Sequence, residues 1–191
     1  PFMLTTANHE YMKDFGANIT YIFNKPLYYS YNYKNAHFLV IHPFDGIVKT
    51  FDGPIVSTGR EQYEFVKKDL EKYHNKKWII VSIHIPILST GDYNINEMLY
   101  NQYFELFRKY KVDLVLSGHD HNFDSFLVDK DAKWGGSYYI VSGTGGSRLD
   151  SYIMTRKKKR WKHWKHDRNS KHGLYFNDKR LKKYHIYGEL S

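Results

Sequence analysis

A chain of 191 residues, with 41% hydrophobic and 26% charged positions, is long enough for one domain with a proper core, and this balance excludes a disordered polyelectrolyte. No apolar run approaches the roughly 20 residues that a membrane-crossing helix needs. Zero cysteines exclude disulfides and thiolate metal sites, so any transition metal must be held by His, Asp, Asn, Glu or Tyr.

The first run, PFMLTT, reads as a short strand that delivers Asn8 and His9 at its end. The start has neither the basic flank nor the long apolar stretch of a signal peptide, which says nothing if the sequence begins inside a longer protein. Next, YYSYNYKNAHFLVIH alternates aromatic and polar residues and predicts two paired strands. Tyr63, Val66, Leu70 and Tyr73 recur at spacings of three and four, which predicts a helix over 59–75, and Thr58 with Glu61 has the T-x-x-E form of a capping box. Trp78 to Ile83 then reads as a strand buried on both faces. A second helix follows, capped by Asn94 or Asn96, with the stripe Leu99, Tyr103, Leu106 and Tyr110, before the strand VDLVLS. Helix, short link and buried strand, twice over, is the pattern of an α/β sheet.

Further on, SFLVD and SYYIVSGTGG read as strands joined by the turn KDAKWGG. The last residues alternate around Asn177 and Asp178 as a closing hairpin. No internal repeat or linker interrupts this order, so residues 1–191 read as a single domain. The net charge of +9 is local: between Arg156 and His172, RKKKRWKHWKHDRNSKH sets nine Lys or Arg against Asp167 alone. This stretch reads as an exposed basic insertion. Its cations, interleaved with Trp161 and Trp164, also suit a nucleic-acid backbone and stacked bases, or another polyanion.

Ligands of open α/β sheets bind beyond the carboxyl ends of the strands. Asn8 and His9, then His84, then His119 and His121 all arrive at such ends. His42 exits a strand as well but is read as outside the site. His37 is read on a strand surface, His74 at a helix end, and Asp120 as pointing away from the cleft by alternation with its neighbours.

The motifs ANHE, HIP and GHDH resemble three ordered motifs of the calcineurin-like metallophosphoesterases, GNHE, HxP and GHxH. Segments such as KYKVDLVLSGHDHN and YYIVSGTGGS are similar to stretches of purple acid phosphatases, and the likeness covers about residues 1–150. The resemblance implies a β-sandwich flanked by helices, of which this sequence would be the C-terminal portion. It implies an acid phosphatase-like hydrolase of phosphorylated substrates, with two metal ions of Fe, Zn or Mn type sharing a bridging hydroxide. Asn8, His84 and His119 would hold one ion and His121 the other, with His9 as general acid or charge-stabilising donor. Two departures accompany the match. The family's Asp-x-His and Gly-Asp-x-x-Asp motifs, with the bridging carboxylate, do not occur ahead of Asn8, so the sequence reads as a fragment lacking its N-terminal part and binding at most one metal alone. Ala7 replaces the usual glycine. Two rivals stand beside the phosphomonoesterase: a phosphodiesterase or nuclease using the basic stretch, and a non-catalytic scaffold retaining the fold. Gly143, Gly145 and Gly146 read as a tight turn beneath the site rather than a phosphate loop. Compartment and oligomeric state stay open.

Overall fold

The computed structural model describes residues 3–46, 48–50, 53–90, 95–145, 164–166, 174–176 and 187–190. In chain order its elements are α1 (Asn8–Asp14), α2 (Ala17–Phe23), β1 (Tyr29–Tyr33), β2 (Ala36–Ile41), β3 (Val48–Thr50), β4 (Gly53–Ile55), α3 (Arg60–Tyr73), β5 (Trp78–Ile83), α4 (Glu97–Lys109), β6 (Leu114–Ser117), β7 (Phe123–Val128), β8 (Ser137–Ser142), β9 (Trp164–His166), β10 (Leu174–Phe176) and β11 (Tyr187–Leu190). One nine-stranded sheet runs β1-β2-β5-β6-β8-β7-β11-β10-β9, while β3 and β4 pair apart as a ribbon. Neighbours among β2, β5, β6 and β8 are parallel. Parallel neighbours need crossovers, and α3 and α4 supply those from β2 to β5 and from β5 to β6. The expected α/β class is the one that forms.

Register explains where the core sits. Leu39, Val81, Val115, Tyr139 and Phe126 are partners across five consecutive strands, so they share one face, and all are buried. They belong to one cluster with Val66 and Leu70 of α3 and with Leu99, Tyr103, Phe104 and Phe107 of α4. Fully burying a leucine such as Leu70 or Leu99 stabilises the fold by about 1.5–3 kcal/mol. The opposite face is more open: Trp78 is 47% exposed, Leu116 38% and Tyr138 49%. The expectation that Trp78–Ile83 is buried on both faces is therefore corrected, since Ile79, Val81 and Ile83 are buried while Trp78, Ile80 and Ser82 are not.

Local details follow from polar chemistry. The expected Thr58–Glu61 capping box does not form. Gly59 is the N-cap of α3 and Thr58 turns its hydroxyl to the Tyr103 hydroxyl. A buried tyrosine hydroxyl needs a partner, and Thr58 supplies it. Asn96 does cap α4, accepting the Leu99 N–H at 2.9 Å. Tyr100, Phe104 and Phe107, outside the expected stripe, are buried too, because α4 buries a wider face than a single stripe provides. His37 is not on an open strand surface: it is fully buried, 2.6 Å from Asp69 of α3, and stacks on Tyr73. His74 sits, as expected, exposed at the C-cap of α3. Gln62 of α3 extends β2 by one residue, accepting the His42 N–H at 2.7 Å and donating to the His42 carbonyl at 2.8 Å.

At the far end of the sheet, β10 and β11 pair antiparallel, with Leu174 opposite Gly188. Within the basic segment 156–172, Trp164–His166 forms β9 against β10. The remainder of that segment, including Trp161, and the Asn177-Asp178 turn lie outside the described residues. Among the described residues no helix is long and apolar enough to cross a membrane.

Candidate metal centre

Two of the sequence-predicted arrivals come from strand ends and one does not. His84 follows β5 and His119 follows β6 by one glycine, but residues 3–7 form no strand, and Asn8 opens helix α1. Leu4 and Thr5 are nevertheless tied down, Leu4 O accepting the Tyr29 hydroxyl at 2.9 Å and Thr5 meeting the Ser82 hydroxyl on β5. Ala7, at the N-cap with φ −105° and ψ 175°, is in extended backbone, so the methyl that replaces the family's usual hydrogen brings no backbone strain there. Its N–H is accepted by Glu10 at 3.0 Å, which starts α1 and presents Asn8 and His9.

The five predicted residues meet. Asn8, His9, His84, His119 and His121 line one cleft of about 360 Å³, together with Gly118, Ser142, Gly143 and Gly145. His84 Nε2 and Asn8 Oδ1 are 2.9 Å apart, and the His84 and His119 rings stand at 5.1 Å between centroids with planes at 75°. Burial, and after it the neighbouring His119, His9 and His121, push the His84 imidazole down to about 4. His84 is therefore neutral, with a lone pair to offer, above about pH 5.

These donors fit a borderline divalent ion. Two ligands each about 2.1 Å from one ion stand about 3.0 Å apart at an octahedral angle and about 3.4 Å apart at a tetrahedral one, and Asn8 Oδ1 and His84 Nε2 are 2.9 Å apart. Imidazole and amide oxygen suit Zn, Fe or Mn alike. Among the described residues, however, no group of three His, Asp or Glu side chains is already gathered tightly enough to enclose an ion. No carboxylate lines the cleft either.

Residues outside the site behave as their surroundings dictate. Asp120 is fully buried and does not line the cleft, as alternation predicts. His42 is also fully buried, packed on Tyr11 and Phe44, and among the described residues neither ring nitrogen has a hydrogen-bond partner. Burial pushes it down to about 4, against a weaker opposing pull from Asp45. A histidine whose pKa is depressed on folding contributes stability above its unfolded pKa near 6.5, and this is lost as pH falls through about 4. His42→Leu is expected to remove about 3 kcal/mol of the stability difference between pH 7 and pH 4, measured by urea unfolding at both.

Sequence reasoning missed Ser142, and it placed Gly143 and Gly145, which line the cleft, in a tight turn beneath the site. A Cβ on Gly143 would lie 1.7 Å from Asp120 O, so glycine is required where this loop crosses the His119–His121 turn. The SG-x-GG string was the available signal. It reads as a turn until one knows which backbone it crosses.

Comparison with known proteins identifies the family and the fold. The family Calcineurin-like phosphoesterase matches residues 1–123. Purple acid phosphatase 15 of Arabidopsis thaliana is 29% identical over 167 residues, covering 78% of this chain and 30% of that protein. The purple acid phosphatase PPD1 from yellow lupin (Lupinus luteus) seeds superposes with a TM-score of 0.60 at 22% identity, covering 78% of this chain and 29% of its own. GAP50, the anchor in the inner membrane complex of Plasmodium, superposes with a TM-score of 0.57 at 18% identity, covering 79% and 53%. The chain thus spans about a third of the length of the curated relative.

Proposed function

Because the chain belongs to the calcineurin-like phosphoesterases, we propose that its cleft is the metal-binding part of a phosphoesterase acting on phosphomonoesters. The observation that carries the reading is the meeting of Asn8, His9, His84, His119 and His121 in one cleft although they are widely separated in sequence. Asn8 through Oδ1 and His84 and His119 through imidazole nitrogen would hold one ion, and His121 would belong to a second. Such ions supply Lewis acidity toward phosphoryl oxygens and a reactive nucleophile, so a chain without cysteine needs no nucleophile of its own. His9 is exposed at the cleft rim, where it can reach a bound phosphate and give a proton to the leaving oxygen. With no carboxylate lining the cleft among the described residues, two cations side by side would repel each other uncompensated. This chain alone should therefore hold one ion and turn over slowly.

A chromogenic phosphomonoester and the matching diester, each assayed at pH 5 and pH 7 with added Zn, Fe or Mn, test this reading. The expected result is slow, metal-dependent hydrolysis with the monoester preferred. Preference for the diester would favour a nuclease. A second reading, a scaffold that keeps the fold without chemistry, is favoured by the absence of a lining carboxylate among the described residues and by the likeness to GAP50, described as an anchor. Metal-independent inertness toward both esters would select it.

A further inference from the structure

Ser89, Asp120, Asn122 and Asp124 form a polar cluster in which no side chain exceeds 7% exposure. The Ser89 hydroxyl donates to the Asp120 carboxylate. The Thr90 N–H and hydroxyl donate to Asp124 at 2.8 and 2.7 Å, and Asn122 Nδ2 donates to it at 3.1 Å. Ser89 and Thr90 belong to the loop that leaves β5 with His84. Asp120 lies between His119 and His121, and Asp124 is the second residue of the next strand, β7. The Gly118 N–H, in turn, donates to the His84 carbonyl at 3.0 Å. The two loops that carry the imidazoles are thus laced together through buried groups.

Energetics argue that the lacing has a purpose beyond packing. Two buried carboxylates cost several kcal/mol each unless every oxygen is satisfied, and apolar residues would fill the space more cheaply. His119 also holds φ at 66°, a left-handed conformation that a non-glycine residue keeps only where its surroundings enforce it. Gly143 closes on Asp120 O from the other side. We propose that Asp120 and Asp124 are positioning residues that pin the His84 loop to the His119–His121 turn, so that the imidazoles are kept in one cleft, within reach of a shared metal ion. Preorganised ligands lose less conformational freedom on binding, and groups supporting metal ligands commonly change affinity by about 10–100-fold when removed.

This inference rests on the metal reading, so its test separates the two. Cobalt(II) is titrated into the full chain and followed by its visible absorption, alongside thermal unfolding without metal. Ser89→Ala is expected to weaken cobalt binding by about tenfold or more and to alter the absorption bands, with Ser89→Thr restoring both. Thr90→Ala, which keeps the backbone donor to Asp124, is expected to cost about threefold and serves if Ser89→Ala does not fold. Ser137→Ala removes a comparable buried bond, to Val112 O at 2.6 Å, away from the cleft. It should lower thermal stability without changing cobalt affinity. Cobalt binding that is unchanged in the Ser89 and Thr90 variants would overturn the positioning role and leave the metal reading intact. Failure of the unaltered chain to bind cobalt would overturn both.

Discussion

His119→Ala is expected to abolish tight binding of a divalent ion, weakening it by at least about a hundredfold, or roughly 3 kcal/mol. Among the described residues, the donors proposed for one ion are three: Asn8 Oδ1, 2.9 Å from His84 Nε2, and the imidazole of His119, its ring 5.1 Å from that of His84. Removing one leaves two, too few for a tetrahedral or higher coordination shell to compete with water. His42→Ala is the matching control. His42 exits the neighbouring strand but is sealed against Tyr11 and Phe44, so metal affinity should stay within about twofold even though stability falls. Equilibrium dialysis against Zn or Mn, with the folded fraction checked by circular dichroism, reads both. Equal loss in the two variants would show that the effect travels through folding rather than ligation.

Gly143→Ala carries the second large expected effect. The added carbon would meet Asp120 O at 1.7 Å, Asp120 C at 2.7 Å and His121 Cα at 3.2 Å. All of these are backbone atoms, which cannot rotate away as a side-chain tip can. The loop or the His119–His121 turn must therefore shift, at a cost of about 3 kcal/mol or more, and the imidazoles move with it. Gly145 is two residues along and lines the same cleft, but a carbon there would meet nothing within 4 Å. Gly145→Ala should change stability by less than about 0.5 kcal/mol. Denaturant unfolding of the two variants distinguishes a specific backbone crossing from a general need for flexibility.

Much of this architecture was legible in the sequence because it follows short-range rules. β5 has the expected bounds, Trp78–Ile83, because a β-branched run between lysines and a proline leaves little choice. Asn96 was recognisable as a cap because its chemistry is local. What escaped depends on partners distant in sequence. Thr58 and Glu61 match a capping box, but Thr58 is drawn to Tyr103, 45 residues on, and Gly59 takes the cap. His37 looks like a surface residue until Asp69 arrives from α3. Asn8 looked like the end of a strand because PFMLTT is apolar, yet it begins a helix. The five residues that line the cleft stood out in the sequence because each lies in a compact motif. The buried carboxylates behind them were not, since Ser89 and Asp120 are 31 residues apart and neither stands out alone.

Locating a bound ion tests the central claim most directly. Anomalous scattering from crystals of the chain soaked with Zn or Mn would place it without reference to activity. The expected result is one peak per chain, about 2.0–2.2 Å from Asn8 Oδ1 and from a ring nitrogen of His84, with His119 completing the set. Two strong peaks held without a carboxylate, or a single peak outside the cleft at saturating ion, would contradict it.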